Sequence, residues 1–247
     1  IDAIRANVFL NMTIFGTFAF GAFAAYKNVL SLKNEVVAFE ALKEDYDGYL
    51  LLNDDVELYP NFLESLLSTH EYCEKNLGRH GIYIGATEDK FEKKLTYSGS
   101  LVINKFLYKT KRLEPNGTYQ NCDLANANIM LVSKDVVDQI GILTKGYSHG
   151  MADYDYTLMA SNKKIPVLVA PEYGGHCVND HRDAYEGFSN MTLCERKEYL
   201  NKPTGLALGS YKRYMRKFFP FRYPLVVFFG WLKLYFPKVY LRYFRNR

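Results

Sequence analysis

The sequence predicts an α/β domain in which a mixed, mostly parallel β-sheet is flanked by helices. Short apolar runs such as residues 49–52 (YLLL) and 165–170 (IPVLVA) have the composition of strands that are buried on both faces. These runs alternate with stretches of helical spacing, and such alternation is typical of layered α/β domains. The chain has 247 residues, 48% of them hydrophobic, which is enough to bury a sizeable core.

The predicted elements of the main domain follow one another over residues 34–201. Pro60 is expected to open a helix, because its fixed backbone angle suits a first turn, and Gly141 is expected to end one. In chain order the predicted elements are a helix over 35–45, a strand over 49–52, a helix over 60–77, a strand over 81–85, a polar excursion or hairpin over 89–117, a strand over 127–133, helices over 134–140 and 155–162, and a strand over 165–170.

Residues 1–33 contain an uncharged apolar stretch ahead of this domain. Residues 6–26 lie between Arg5 and Lys27 and are rich in Phe and Ala. A stretch of this length could cross a bilayer, although Asn and Thr side chains dilute its apolar character. We therefore expect a core helix or a membrane-associated helix, with a single transmembrane span as the alternative.

Residues 202–247 form a basic, aromatic tail that follows a Pro- and Gly-containing hinge over 202–210. Residues 211–247 carry ten Lys or Arg, fourteen aromatic residues and no Asp or Glu. Because the whole chain has 31 basic and 27 acidic residues, the first 210 residues are net acidic. Basic side chains interleaved with aromatic rings favour a membrane interface, so we expect residues 211–247 to bind an anionic membrane surface. Helices packed on the domain are the alternative, and nucleic acid is not the expected partner.

The cysteine pattern indicates the compartment. The four cysteines are widely spaced and show no spacing typical of a metal finger. A chain of this length with so few cysteines is expected to be reduced and intracellular. Together with the basic tail, this predicts a peripheral protein at the cytoplasmic face of the membrane.

The run GYLLLNDDVEL places Asn53, Asp54 and Asp55 where a buried strand is predicted to end. Ligands of α/β sheets bind beyond the carboxyl ends of the strands. Two adjacent carboxylates repel each other unless a cation lies near them, and Mg²⁺ or Mn²⁺ prefers such oxygen ligands. A metal held here would neutralise a diphosphate leaving group. The alternative is that Asp54 caps the next helix, and spacing alone does not separate the two interpretations.

Two later clusters carry further candidate groups. In ADYDY, one of Asp153 and Asp155 could act as a general base on an acceptor hydroxyl. The alternative is that Asp153 caps the following helix while Asp155 faces solvent. In GGHCVNDHRD, His176 and His181 are candidate metal ligands, although a single His in a loop is more often without a metal.

These segments, in this order, resemble the family 2 nucleotide-sugar glycosyltransferases, particularly the rhamnosyltransferase-like group. The resemblance covers roughly residues 34–181, and no single motif in it is strong by itself. The segments that carry it are YDGYLLLNDDVEL, CDLANANIMLVSKDVVDQIG, GYSHGMADYDYTLMA and VAPEYGGHCVNDH.

The resemblance implies a GT-A-type (Rossmann-like) fold, a nucleotide-diphosphate sugar donor, a divalent cation (Mg²⁺ or Mn²⁺), and a saccharide or lipid-linked acceptor. It implies an inverting transfer in surface polysaccharide or glycolipid synthesis. The residues take the following roles by motif position: Asp55 binds the metal with His181 or else His176, Asp54 contacts ribose or metal, Asp153 is the catalytic base, and Asn53, Asn126, Asn128 and Asp155 lie near the donor or acceptor.

The sequence departs from the family pattern in three places. Residues 1–33 do not show the opening strand and Asp-x-x-Ser/Thr-type loop that grip the nucleotide base, so we expect this part to be missing or diverged. Ala152 stands where the family has Glu or Gly, and Met159 stands where it often has Arg. The alternative function is therefore a truncated or inactive glycosyltransferase-like module that binds at a membrane.

Overall fold

The computed structural model describes residues 15–18, 21–28, 47–53, 55–147, 151–178, 183–202 and 205–245. The chain divides into two compact units. The first unit takes in residues up to 102 together with 110–145 and 152–179, and the second takes in 103–109, 146–151 and 180–247. This division differs from the predicted boundary at residue 202, which stays a prediction, because the second unit also includes residues 103–109, 146–151 and 180–201.

The described elements of the first unit alternate between strands and helices. The strands are β1 (Phe15–Phe18), β2 (Gly21–Asn28), β3 (Gly48–Asn53), β4 (Glu57–Leu58), β5 (Ile82–Glu88), β6 (Leu95–Tyr97), β7 (Gly99–Asn104), β8 (Lys109–Arg112), β9 (Gln120–Asn121), β10 (Leu124–Ala125), β11 (Ile129–Ser133) and β12 (Val167–His176). The helices are α1 (Phe62–Leu77), α2 (Lys134–Ile140) and α3 (Met151–Asn162).

The main sheet is mixed, in the order β1-β2-β3-β11-β5-β12-β4. Strand β2 runs parallel to β3, and β5 runs parallel to β12. Strand β11 lies between these pairs and is antiparallel to both β3 and β5. A smaller sheet has the order β10-β7-β8. The fold is thus an α/β arrangement with a mixed sheet flanked by helices, as the sequence predicts at this level. The predicted majority of parallel pairings is wrong, because among the described strands of this sheet only β2–β3 and β5–β12 pair in parallel, and the other neighbours are antiparallel.

Helix α1 supplies one side of the core. Phe62, Leu63 and Leu66 recur on one face of the helix and are buried against Leu50 and Leu131 of the sheet. Burying each such side chain contributes about 1.5–3 kcal/mol relative to leaving it in water. The predicted helix after Pro60 and the predicted strand over 49–52 are confirmed by these elements.

Glycine residues follow the last residues of helices α1 and α2. Gly78 ends α1 with φ 62° and donates its N–H to the Glu74 carbonyl oxygen at 3.0 Å, a left-handed turn that glycine adopts without strain. Helix α2 follows Ser133 directly and ends where Gly141 donates to Val137 at 2.7 Å. Both helix ends agree with the sequence prediction. Helix α3, predicted over 155–162, instead begins at Met151, so Asp153 lies in its first turn.

The N-terminal prediction is wrong where the structure describes the chain. Residues 15–18 and 21–28 form an antiparallel pair of strands, and β2 then adds to the sheet beside β3. A core or membrane helix over residues 6–26 is therefore excluded at these positions. Alternating small and aromatic residues suit a pleated strand as well as a helix face, and the pairing with β3 decides between them. The predicted helix over 35–45 falls outside the described residues.

The second unit is helical in its described part. It contains α4 (Leu193–Asn201), α5 (Leu208–Phe218), α6 (Tyr223–Tyr235) and α7 (Pro237–Tyr243), with a 3-10 turn at Phe188–Asn190. A capping box between Thr192 and Glu195 starts α4, and Arg196 Nε donates to the Leu234 carbonyl oxygen of α6 at 2.9 Å. Across the described residues, no helix has both the length and the apolar character needed to cross a bilayer.

Candidate functional site

One edge of the main sheet collects the polar residues that the sequence singles out. Strands β3, β5 and β12 share a direction and end at this edge at Asn53, Glu88 and His176. The antiparallel strand β11 begins at the same edge with Ile129. Because the carboxyl ends of parallel strands form the usual ligand crevice of α/β sheets, this edge is the candidate functional site.

Asp55 and Asn128 are linked through Cys177. The Cys177 thiol donates to Asp55 Oδ2 with a sulfur–oxygen distance of 3.6 Å, and Asn128 Nδ2 approaches the same sulfur at 3.5 Å. Asn128 is buried, whereas Asp55 is exposed. Burial, and after it the charge of Asp55, raises the pKa of Cys177 to about 12. Cys177 is therefore a neutral thiol that orients the Asp55 carboxylate through Oδ2.

Asp153, in the first turn of α3, contacts Ala127, which is next to Asn128 in the connection between β10 and β11. Its Oδ2 accepts a hydrogen bond from the backbone N–H of Ala127 at 3.1 Å. Burial raises the pKa of Asp153 from 3.8 to about 6, and the hydrogen bond from Ala127 opposes part of that rise. A carboxyl group with a pKa close to the working pH is suited to accept a proton and release it again.

The segment 126–128 connects the two acidic positions. The backbone N–H of Asn53 donates to the Asn128 carbonyl oxygen at 3.0 Å, and Tyr154 Oη donates to Asn126 Oδ1 at 3.3 Å. Hydrogen bonds thus run from Asp55 through Cys177 to Asn128, and from Ala127 and Asn126 to the helix that carries Asp153. The structure brings Asn53, Asp55, Asn126, Asn128 and Asp153 into one neighbourhood at the edge of the sheet.

Asp155 has a different environment from the one expected. It is fully buried, and the Thr144 hydroxyl donates to its Oδ2 at 2.8 Å. The alternative in which Asp155 faces solvent is wrong, because the two-residue step from Asp153 is about half a turn of α3 and carries the Asp155 side chain to the buried face. Its predicted place near the donor stays a prediction.

His176 also has other partners than the expected metal group. Its ring lies edge-on to Tyr59 at a centroid distance of 4.7 Å, and the Tyr59 hydroxyl is 3.1 Å from its ring nitrogens. The Tyr59 hydroxyl also donates to Glu88, and His176 Nδ1 lies 4.0 Å from Glu88 Oε1. Successive side chains of a strand point to opposite faces, so Cys177 rather than His176 contacts Asp55. The prediction that His176 shares a metal with Asp55 is therefore not supported by its contacts.

Two predicted residues, Asp54 and His181, fall outside the described residues. Sequence reasoning did not assign a role to Cys177, Tyr59 or Glu88. The sequence offered a signal for Cys177, since it lies between the predicted site residues His176 and His181 in GGHCVNDH. Glu88 and Tyr59 are far apart in the chain, and their pairing follows only from the strand register.

The donor set at Asp55 suits a hard divalent cation. The exposed Asp55 carboxylate offers oxygen ligands, which hard cations prefer. A cation with few protein ligands and several open positions is typical of Mg²⁺ or Mn²⁺ bound together with phosphate oxygens.

A cavity of about 480 Å³ lies at the opposite edge of the sheet, where β12 begins. It is lined by Cys122, Asp123, Ser161 and Lys164 among others, and none of the predicted site residues lines it. In the second unit, a surface cavity of about 460 Å³ lies beside α4. The candidate site is therefore defined by its polar contacts and not by the size of a pocket.

Comparisons with known proteins give the following. No family model matches the chain, and no curated protein matches it. Among solved structures, it is similar to the one titled "Crystal Structure of A197 from STIV", with 14% sequence identity and a TM-score of 0.35. That match covers 60% of this chain and 74% of the other. A likeness at this level carries no functional argument, so the proposal below rests on the residues of this chain.

Proposed function

We propose that this protein is a metal-dependent, inverting glycosyltransferase of the GT-A type. It would transfer a sugar from a nucleotide-diphosphate donor to a saccharide or lipid-linked acceptor in surface polysaccharide or glycolipid synthesis. The observation that carries the proposal is that contacts link Asp55 and Asp153, which are far apart in the chain, around residues 126–128 at the carboxyl edge of the parallel strands.

The chemistry divides between the two carboxylates. Asp153 accepts the proton of the acceptor hydroxyl as the hydroxyl oxygen attacks the anomeric carbon of the donor sugar. The bond from that carbon to the diphosphate oxygen breaks, and the nucleoside diphosphate leaves with the electron pair. Because one base acts on one direct displacement, the configuration at the anomeric carbon is inverted.

In this proposal, Asp55 binds the metal ion that contacts the donor diphosphate. A divalent cation bound by its carboxylate would neutralise the negative charge of the departing diphosphate. The Cys177 thiol keeps the carboxylate in place through a hydrogen bond. Asn128 supports that thiol from the other side, and its burial fixes the position of the amide.

Strand β2 supports the same proposal. It lies parallel to β3, and Asn28 at its end pairs with Asn53 at the candidate site. A strand therefore stands before the Asp-containing strand, in the place where the sequence alone gave no opening strand.

The second unit supplies the proposed membrane contact. Leu225, Phe228, Trp231 and Tyr235 recur at helical spacing along α6, and each is about half exposed. Residues 211–247 carry ten basic and no acidic residues. An apolar aromatic face beside excess positive charge is complementary to an anionic lipid surface, where rings sit at headgroup depth. A peripheral protein at the cytoplasmic face would then share a surface with a lipid-linked acceptor.

Calorimetric titration of the whole chain with UDP, GDP and dTDP, each with and without MnCl₂, tests the donor site. We expect at least one nucleoside diphosphate to bind only when Mn²⁺ is present. Asp55→Asn should abolish that binding, whereas Asp153→Asn should preserve it, since the base does not hold the donor. Asp138→Asn, an exposed carboxylate paired with Lys134, is the matched control and should bind like the wild type.

Transfer assays with the matching nucleotide sugar complete the test. Asp55→Ala and Asp153→Ala should each abolish sugar transfer while circular dichroism stays unchanged. If no nucleotide binds with Mn²⁺, the enzyme proposal fails and the inactive module is the better interpretation. If both variants keep their turnover, the residue assignment fails.

A further inference from the structure

A second polar cluster lies at the opposite edge of the main sheet. His70 and Glu74 are one helical turn apart on α1, and His80 follows in the turn that leads into β5. One ligand atom from each of these residues lies within 4.8 Å of the others. Within the described residues, this is the group of His, Cys, Asp and Glu that comes close enough to hold one ion.

Each imidazole is oriented by a partner at its Nδ1. His80 Nδ1 lies 2.6 Å from Asp135 Oδ2, in the first turn of α2. His70 Nδ1 lies 3.0 Å from the Tyr83 hydroxyl. Metal-binding histidines commonly donate one ring N–H to a carboxylate or other oxygen, which fixes the ring and leaves the second nitrogen for the metal.

The Tyr83 hydroxyl can play this role for His70. Its oxygen accepts the backbone N–H of Gly81 at 2.9 Å, and its own proton can go to the Cys73 sulfur, to which it is hydrogen-bonded. The oxygen then has a lone pair left for His70 Nδ1–H. In this tautomer His70 Nε2 carries the free lone pair that a metal requires.

The atoms of His70, Glu74 and His80 that are left for a metal lie close to one another. His80 Nε2 lies 3.7 Å from Glu74 Oε1, and the rings of His70 and His80 have centroids 5.0 Å apart. In a tetrahedral zinc site with bonds of about 2.0–2.1 Å, ligand atoms are roughly 3.4 Å apart. A side-chain adjustment of about 1 Å therefore closes the three ligands on an ion. His80 is about one-third exposed, which leaves a fourth position for water.

We propose that His70, Glu74 and His80 bind a divalent transition-metal ion, with Zn²⁺ the best match, and that Asp135 positions His80. Two imidazoles and one carboxylate are borderline ligands that favour Zn²⁺ over Mg²⁺. The ion would join the end of α1 to the start of β5 and, through Asp135, to α2. Its role is to stabilise the edge of the sheet opposite the candidate catalytic site, so it goes beyond the proposed sugar transfer and does not depend on it.

The test uses the whole chain after treatment with EDTA. Titration with ZnCl₂ in a calorimeter should show one site per chain with micromolar or tighter affinity, and ZnCl₂ should raise the melting temperature. CoCl₂ should give visible absorption bands of a nitrogen- and oxygen-ligated ion without a thiolate charge-transfer band. His80→Ala and Glu74→Gln should each remove the site, and Asp135→Asn should keep the stoichiometry while weakening affinity about 10–100-fold.

Glu71→Gln is the matched control, because Glu71 lies on the same helix in an exposed pair with Lys75. It should bind like the wild type. Glu74 is well exposed, so its substitution keeps the test valid even if a histidine variant unfolds. The proposal is overturned if the wild type binds neither ion, if Glu74→Gln and His80→Ala bind unchanged, or if Cys194→Ser rather than His80→Ala removes the site.

The same variants separate this proposal from the sugar-transfer proposal. Asp55→Asn should leave the Co²⁺ titration unchanged, and His80→Ala should leave Mn²⁺-dependent nucleotide binding unchanged. Either proposal can thus fail while the other stands.

Discussion

Asp153 Oδ2 accepts a 3.1 Å hydrogen bond from the backbone N–H of Ala127, which ties the first turn of α3 to the segment that leads into β11. The hydrogen bond fixes the Asp153 carboxylate beside residues 126–128. Asn128, next to Ala127 in the chain, contacts the Cys177 thiol that is hydrogen-bonded to Asp55. The position of this single carboxylate determines the first prediction.

The stability of the protein should depend on the charge of Asp153. Its folded-state pKa of about 6 lies above the ordinary value of 3.8, so the folded state binds the proton more tightly than the unfolded state. The resulting stability is full below pH 3.8 and is lost as the pH rises to about 6. Asp153→Asn should therefore stabilise the protein at pH 7.5 by on the order of 1 kcal/mol, after allowance for the partial exposure of Asp153.

Chemical denaturation at several pH values measures this effect. The gain of Asp153→Asn should be constant above about pH 6 and should shrink toward pH 4. Asp138→Asn should show no such profile. In the wild type, the pH profile of the transfer rate should rise through about pH 6, since the base must be ionised. A rate that is independent of pH between 5 and 7 would contradict the role of Asp153 as the base.

The cysteines should differ sharply in reactivity. Cys194 is exposed, whereas Cys73, Cys122 and Cys177 are buried. Burial raises the pKa of both Cys122 and Cys177, so neither forms a thiolate near neutral pH. Iodoacetamide at pH 8 should label native protein at Cys194 alone, and mass spectrometry of a denatured sample should find label on all four. Cys194→Ser should abolish native labelling. Equal labelling of Cys177 and Cys194 would contradict the buried thiol that contacts Asp55.

Gly175 should be intolerant of substitution. A Cβ at this position would lie 2.5 Å from the Glu57 carbonyl oxygen, which belongs to the paired strand β4 and cannot rotate away. Gly175→Ala should destabilise the protein by about 1–3 kcal/mol, measured by urea denaturation. Since β4 follows Asp55 closely, Mn²⁺-dependent nucleotide binding should weaken as well. Gly209→Ala is the control, because a Cβ there has open space and alanine favours the helix. Equal stability of both variants would argue against this strand pairing.

The aromatic face of α6 should control membrane binding. Trp231→Glu places a charge in the middle of that face and should lower sedimentation with phosphatidylcholine–phosphatidylglycerol vesicles by about tenfold, since burial of a large aromatic side chain contributes about 1.5–3 kcal/mol. Binding should also fall as salt rises and be weak to pure phosphatidylcholine. Phe91→Glu, at an exposed aromatic residue of the first unit, is the matched control and should bind normally. Loss of binding in both variants alike would exclude α6 as the contact.

Local sequence rules predict most of the regular elements of the first unit. The apolar run before Asn53, the helix between Pro60 and Gly78 and the helix between Ser133 and Gly141 all follow from local rules, because periodicity, proline and glycine act within a few residues. The same rules failed for residues 15–28, where an apolar stretch is compatible with a helix or a strand. Only pairing with β3 makes it a strand.

Which polar residues lie close together depends on strand pairing and helix packing between distant parts of the chain. The sequence singled out Asp55 and Asp153, but whether they share a neighbourhood depends on β11 running antiparallel between β3 and β5, a pairing between residues far apart in the chain. The alternation of side chains at the end of β12 then turned Cys177 toward Asp55 and His176 toward Tyr59. About half a turn of α3 likewise directs Asp155 and Asp153 to different faces of the helix. These are consequences of strand register and helix phase, which local composition does not encode.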